Sequence, residues 1–181
     1  IPPGKRVLEL GTGYGMSAMF ILDAMASQDS TGSLISVEQS QRCHEFSSQW
    51  LGSRYQHRIR CELGSTSSVI PRLLETLGPV EPVDFMFHDA GHSGAEYIGD
   101  FVAALPLLAP GAVVLFDDIR WNDARFAASD PKCHQGWLEV ANHHSVQWAV
   151  EINSAMGLVL LACVAARAPS APFQIRRNEA E

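Results

Sequence analysis

From Arg6 to Asp117, apolar runs of strand length alternate with segments of helix length. That alternation is the pattern of an α/β domain whose parallel sheet is covered on both faces, because parallel neighbours need a long crossover between them. The expected strands are Arg6 to Leu10, Leu34 to Glu38, Ile59 to Leu63, Asp84 to His88 and Ala112 to Asp117. Helices are expected between them at about Met16 to Ser27, Gln41 to Leu51, Ser67 to Leu77 and Ala95 to Leu108. Two further runs, Val146 to Ile152 and Leu158 to Val164, are separated by a connection too short for a crossover helix, so an antiparallel hairpin is expected there. With 181 residues, 46% of them hydrophobic and 18% charged, the chain is long enough for one packed domain and short for two. One domain is expected over residues 1–168, followed by an extended or frayed tail over 169–181. Arg120 to His144 is the least periodic stretch; it is expected over the mouth of a site, with Trp121 and Trp137 either lining an acceptor pocket or filling core.

A net charge of -7 with dispersed basic residues argues against a nucleic acid partner. Cys43, Cys61, Cys133 and Cys163 show neither the spacing of a zinc site nor the density of a disulfide scaffold, which fits a reduced, cytoplasmic setting. Met156 to Ala166, the longest apolar stretch, is too short to span a bilayer, so no membrane partner is expected. The chain opens on Ile1 and enters its first strand almost at once, and sequence N-terminal to it is expected.

The run Leu8–Glu–Leu–Gly–Thr–Gly–Tyr–Gly–Met–Ser–Ala18 places Gly11, Gly13 and Gly15 between a strand and a helix, where a nucleotide-like ligand can approach bare main chain. Gly13, Gly15 and Ala18 satisfy the dinucleotide fingerprint loosely, so a nicotinamide cofactor is not dismissed on the glycines alone. Glu9 suits a cofactor bearing an ammonium or sulfonium better than a pyrophosphate, which it would repel. Glu38, ending the second strand, can accept from both hydroxyls of a ribose, a role common to both cofactors. Glycine 64 to Ser68 offers an edge for adenine.

Through Glu9–x–Gly11–x–Gly13–x–Gly15 and the acid Glu38, the chain resembles the class I S-adenosylmethionine-dependent methyltransferases. The resemblance runs nearly the whole length and implies a Rossmann-like α/β fold, with a mostly parallel seven-stranded sheet in the order 3-2-1-4-5-7-6 and helices on both faces. It implies S-adenosyl-L-methionine as donor. The implied contacts in and beside the turn are Glu9, Gly11, Thr12, Gly13, Tyr14, Gly15 and Ser17. Those beyond it are Glu38, Gln39, Ser65, Thr66 and Asp89.

Two strands stop abruptly in acid, at Asp89 and at Asp117–Asp118. If they are neighbours their ends lie roughly 5 Å apart, and three carboxylates that close call for a hard divalent ion such as Mg2+. Asp89, Asp117 and Asp118 are therefore the candidate metal ligands. Asp117 is the least secure, since adjacent residues of a strand point to opposite sides unless the chain bends after Phe116. This narrows the resemblance to metal-dependent O-methyltransferases. The Asp89–x–x–His92 spacing is similar to that of the macrolide sugar enzymes, whereas Asp117–Asp118 departs both from their Glu-Asp and from the Asp-Asn of the catechol and caffeoyl-CoA branch. His92 is the implied base.

Each reading has a plainer counterpart. Strand-end acids cap helices and bind loop amides, and His92 can serve as a hydrogen-bonding residue at a helix start. His88 is expected to point away from the crevice, Tyr97 and Asp100 to pack or cap, and His143 and His144 to face solvent. The expected activity is methyl transfer to a hydroxyl of a small molecule, by a chain that can form homo-oligomers. Its rivals are a metal-independent methyltransferase of the same fold, a nicotinamide oxidoreductase and a non-catalytic binding module.

Overall fold

The structure is a computed structural model and describes residues 5–28, 31–77, 80–119, 133–152, 158–163 and 176–177. Its centre is an eight-stranded sheet. The strands are β1 (Arg6–Leu10), β2 (Ser33–Glu38), β3 (Ile59–Leu63), β4 (Val83–His88), β5 (Leu108–Phe116), β6 (Val146–Ile152), β7 (Leu158–Cys163) and β8 (Arg176–Arg177). Their order is β3-β2-β1-β4-β5-β7-β6-β8, and the first five are parallel. β7 runs antiparallel between β5 and β6. This is the expected order extended by one strand, because Arg176–Arg177 pair in parallel with Val150 and Glu151 in a stretch expected to be extended or frayed.

Five α-helices, α1 (Met16–Gln28), α2 (Gln41–Tyr55), α3 (Thr66–Leu77), α4 (Gly94–Ala104) and α5 (Cys133–Ala141), and two single 3-10 turns, Gln56–Arg58 and Leu105–Leu107, complete the described fold. Side chains alternate across each strand, so β1 and β2 feed two cores. Val7 and Leu34 pack with Ala18, Leu22, Leu51 and Tyr55 of α1 and α2. Leu8, Leu10, Ile35 and Val37 face the larger core, built with α3, α4 and α5. At one margin of the sheet, β3 carries Arg60 and Glu62, which are ion-paired to each other, and Glu62 also pairs with Arg72 of α3.

α5 corrects the reading of Arg120 to His144 as irregular. Cys133, Gly136, Trp137, Val140 and Ala141 are its buried residues and recur at helical spacing. α5 lies against α4, with Gly136 so close to Gly94 that a β-carbon on Gly136 would stand 2.4 Å from the Gly94 Cα. Trp137 is fully buried in the core; Trp121 lies outside the described residues. His143 is half-buried, edge-on to Phe101 at 5.5 Å, while its neighbour His144 is exposed as expected. Among the described residues, no helix is long and apolar enough to cross a membrane, and Cys43, Cys61 and Cys133 are free thiols.

Candidate active site

The sheet order reverses direction between β1 and β4, and a crevice opens beyond their carboxyl ends, as it does at such switch points generally. The turn after β1 is tied to β2 by two bonds to one carbonyl: the N–H groups of Gly11 and Thr12 donate to Val37 O at 3.0 and 3.1 Å. Gly11 has a φ of +97°, and a β-carbon there would lie 1.9 Å from the Asp89 carbonyl oxygen, so this position requires glycine for both conformation and space. Glu38 is clamped by main chain on both oxygens. Gly13 N donates to its Oε2 and Ser40 N to its Oε1, each at 2.7 Å. A carboxylate offers about four acceptor sites, so a pair remains for ligand hydroxyls.

Glu9, expected among the cofactor contacts, is not among the residues that line the crevice. It lies opposite Ser36 in the β1–β2 register and is fully buried beneath the turn. Ser36 Oγ donates to Glu9 Oε2 and is itself bonded to Thr12 Oγ1, so the acid holds the turn from below. Its Oε1 has no hydrogen-bond partner among the described residues. Burial pushes the Glu9 carboxyl up to about 7, against the opposing pull of the Ser17 and Ser36 hydroxyls.

The crevice is a cavity of about 760 Å³. Of the expected cofactor contacts, Gly11, Thr12, Gly13, Tyr14, Ser17, Glu38, Gln39, Thr66 and Asp89 line it. Gly15 is packed instead against Leu51 and Trp50 of α2, and the Ser65 hydroxyl is bonded to that of Ser67 at 3.0 Å. The wall also includes Met16, Phe20, Phe87 and Glu96, which the sequence reading did not single out. Glu96 carries a legible signal. Ser93–x–x–Glu96 forms a capping box at the start of α4, with Ser93 Oγ accepting from Glu96 N at 3.2 Å and Glu96 Oε2 accepting from Ser93 N at 3.1 Å. Met16 and Phe20 are exposed apolar residues one turn apart on α1, a pattern indistinguishable in sequence from core.

The expected three-aspartate cluster is, in the structure, two aspartates and a histidine. Asp89, His92 and Asp118 each bring one ligand atom within 4.8 Å of the others. Asp118 has a φ of +55°, an unusual backbone for a residue with a β-carbon, and this is the bend after β5 that turns its side chain into the group. Asp117 lines the cavity but stands outside the cluster, and its Oδ1 accepts from Asp118 N at 2.8 Å. His92 Nδ1 is 3.9 Å from Asp118 Oδ2. Burial, then the charges of Asp117 and Asp118, raise the Asp89 carboxyl above the ordinary range, while His92 opposes them. Burial and Asp117 raise Asp118 in the same direction, again against His92. Two hard oxygen donors beside an imidazole suit a divalent ion of the Mg2+ or Mn2+ kind.

Behind the wall, His88 is fully buried, as expected, against the rings of Tyr97 and Phe116 at 4.9 and 5.0 Å. Its Nε2 pairs with Asp100 Oδ2 at 3.0 Å. The Tyr97 hydroxyl donates to Asp117 O at 2.6 Å, so these residues pack and bond from behind the cavity. Burial raises the Tyr97 phenol far above its usual value, so the hydroxyl stays protonated and keeps the proton it donates.

A glycine turn, a clamped acid on the second strand and a crevice at the β1–β4 switch point define a Rossmann-like domain of the class I methyltransferase type. A family profile described as "Methyltransferase domain" matches residues 8–119, more than half of the chain, and the chain belongs to that family. No curated protein sequence matches the chain significantly. Among solved structures, it is similar to an O-methyltransferase from Bacillus cereus in complex with SAH: 20% identity over 88% of this chain and 74% of that one, TM-score 0.71. It is also similar to the O-methyltransferase TomG from Streptomyces achromogenes, involved in tomaymycin synthesis and solved with SAM: 22% identity, 89% and 74% coverage, TM-score 0.71. Cofactor-bound Rv0187 from MTB gives 21% identity, 90% and 74% coverage and a TM-score of 0.70.

Proposed function

We propose that this methyltransferase uses S-adenosylmethionine to methylate a hydroxyl of a small molecule, with a divalent cation assisting. The observation that carries the reading is the double membership of Asp89, which lines the cavity and belongs to the acid–histidine cluster. One crevice would thus take a nucleoside and a cation side by side. The two similar structures described as O-methyltransferases, one solved with SAH and one with SAM, support the donor and the acceptor atom.

Glu38 would bind the ribose hydroxyls with the acceptor sites that Gly13 and Ser40 leave open, and the glycine turn admits the donor's amino-acid end. Transfer breaks a carbon–sulfur bond of the donor and forms a carbon–oxygen bond on the acceptor, and the hydroxyl proton must leave. His92 is the base placed to receive it. Asp89 and Asp118 would hold the cation, whose chemistry is to lower the pKa of an oxygen bound to it. Asp117, turned to its neighbour's amide, shapes the loop.

Calorimetric titration with adenosylhomocysteine, with and without Mg2+, tests this on the parent protein and on Asp89→Ala. Donor-product binding to the parent and loss of Mg2+ binding in the variant are the expected results; a parent that never binds Mg2+ removes the cation from the scheme. A second reading, favoured by the grouping of His92 with both carboxylates, makes it the third ligand. His92→Ala then weakens Mg2+ binding, whereas a base leaves that affinity unchanged and lowers kcat by about 10²–10⁴.

A further inference from the structure

The inner wall of the cavity contains a polar chain that the reaction scheme leaves unused. Thr66, the first residue of α3, lines the cavity. Its hydroxyl donates to Asp100 Oδ1 at 2.6 Å. The other Asp100 oxygen is held by His88 Nε2 at 3.0 Å. Both Asp100 and His88 are buried, and the imidazole is packed against Tyr97 and Phe116. The chain therefore cannot be rearranged without moving the aromatic core behind it.

A threonine hydroxyl has one proton to give and two lone pairs to offer. Here the proton is committed to a buried acid, and the bond is short, as bonds to carboxylates are. What remains for the cavity is a lone pair. We propose that Asp100, steadied by His88, sets the Thr66 hydroxyl as an obligate hydrogen-bond acceptor. It thereby selects a ligand whose facing edge carries an amino group, as adenine does, over one carrying a carbonyl. Asp100 is a positioning residue acting through Thr66. The inference rests on the nucleoside reading of the cavity given above, and supplies a reason for base selection that Glu38, which addresses hydroxyls, does not.

The test compares calorimetric affinities for S-adenosylhomocysteine and its 6-oxo analogue, S-inosylhomocysteine. The parent is expected to favour the amino ligand at least tenfold. Thr66→Val, equal in shape and without the hydroxyl, should bring the ratio close to one, while Thr66→Ser keeps it. Asp100→Asn can donate to Thr66 and free its proton for the cavity, so it should lower the ratio or reverse it. A merely structural role for Asp100 would weaken both ligands together and leave the ratio alone. Equal binding of the two ligands by the parent, or a parental ratio retained in Thr66→Val or Asp100→Asn, overturns the proposal. A parent that binds neither ligand overturns it together with the nucleoside reading. Adenosylhomocysteine binding with an unchanged ratio in the variants overturns the polarity argument alone.

Discussion

At Gly11 the main chain of the first turn runs so near the Asp89 carbonyl that no β-carbon fits between them. Gly11→Ala must shift either the turn or the loop after β4, and a loss of roughly 3 kcal/mol or more in urea unfolding is expected, with the Asp89 cluster disturbed as well. Glu9 makes a subtler prediction. Its carboxyl is raised from 4.5 to about 7 by burial, so the folded protein holds a proton that the unfolded chain releases. The associated stability is complete below about pH 4.5 and is lost as pH rises through about 7, an effect on the order of 3 kcal/mol. Glu9→Gln should remove that part of the slope when unfolding midpoints are compared between pH 4.5 and 8. The sequence reading found Glu9 through its place before the glycines, yet position along a strand does not say that a fully buried Ser36 stands opposite. The side of the turn on which an acid lies is decided by register, which only pairing with β2 supplies.

Between elements, the contact of α4 with α5 depends on two residues without side chains. Gly136→Ala places a methyl group 2.4 Å from the Gly94 Cα and must push the helices apart, at a cost of about 1–3 kcal/mol in thermal unfolding. Ser93→Ala removes the acceptor for Glu96 N from the α4 capping box and should cost about 1 kcal/mol, measurable by the same method. Strands and helices from β1 to α4 were legible because apolar runs of strand length alternate with segments of helix length. α5 was missed although Cys133, Trp137 and Ala141 recur every fourth residue, because Gly136 and His134 dilute the stripe in a nine-residue segment. The start of β5 was misread as the end of a helix for a related reason. Leu108 pairs with Val83, but the register then shifts across Pro110 and Gly111 before Val113 meets Phe85.

For the molecule as a whole, a ligand that binds only the folded state stabilises it by mass action. Adenosylhomocysteine at a hundred times its Kd should add about 2.7 kcal/mol and raise Tm by roughly 5–10 °C in a domain of this size. Absence of any shift would argue against the nucleoside reading. Strand order is the part of the fold that periodicity could never deliver, since the same alternation winds into several topologies; it came from the resemblance carried by the glycine turn and the acid Glu38. The acid–histidine cluster was half legible. Two acids at strand ends were readable, but the inclusion of His92 and the turning aside of Asp117 depend on the left-handed backbone at Asp118. The two margins of the sheet have a further consequence. An open strand is a template on which a second molecule can add its own backbone, the first step towards a fibre. On β3 that surface bears Arg60 and Glu62, so an incoming strand would have to strip water from both charges, and at the opposite margin Arg176 and Arg177 already occupy part of the place it would take on β6. Trimming the chain before Arg176 should therefore shorten its shelf life in concentrated solution before it alters the chemistry in the crevice.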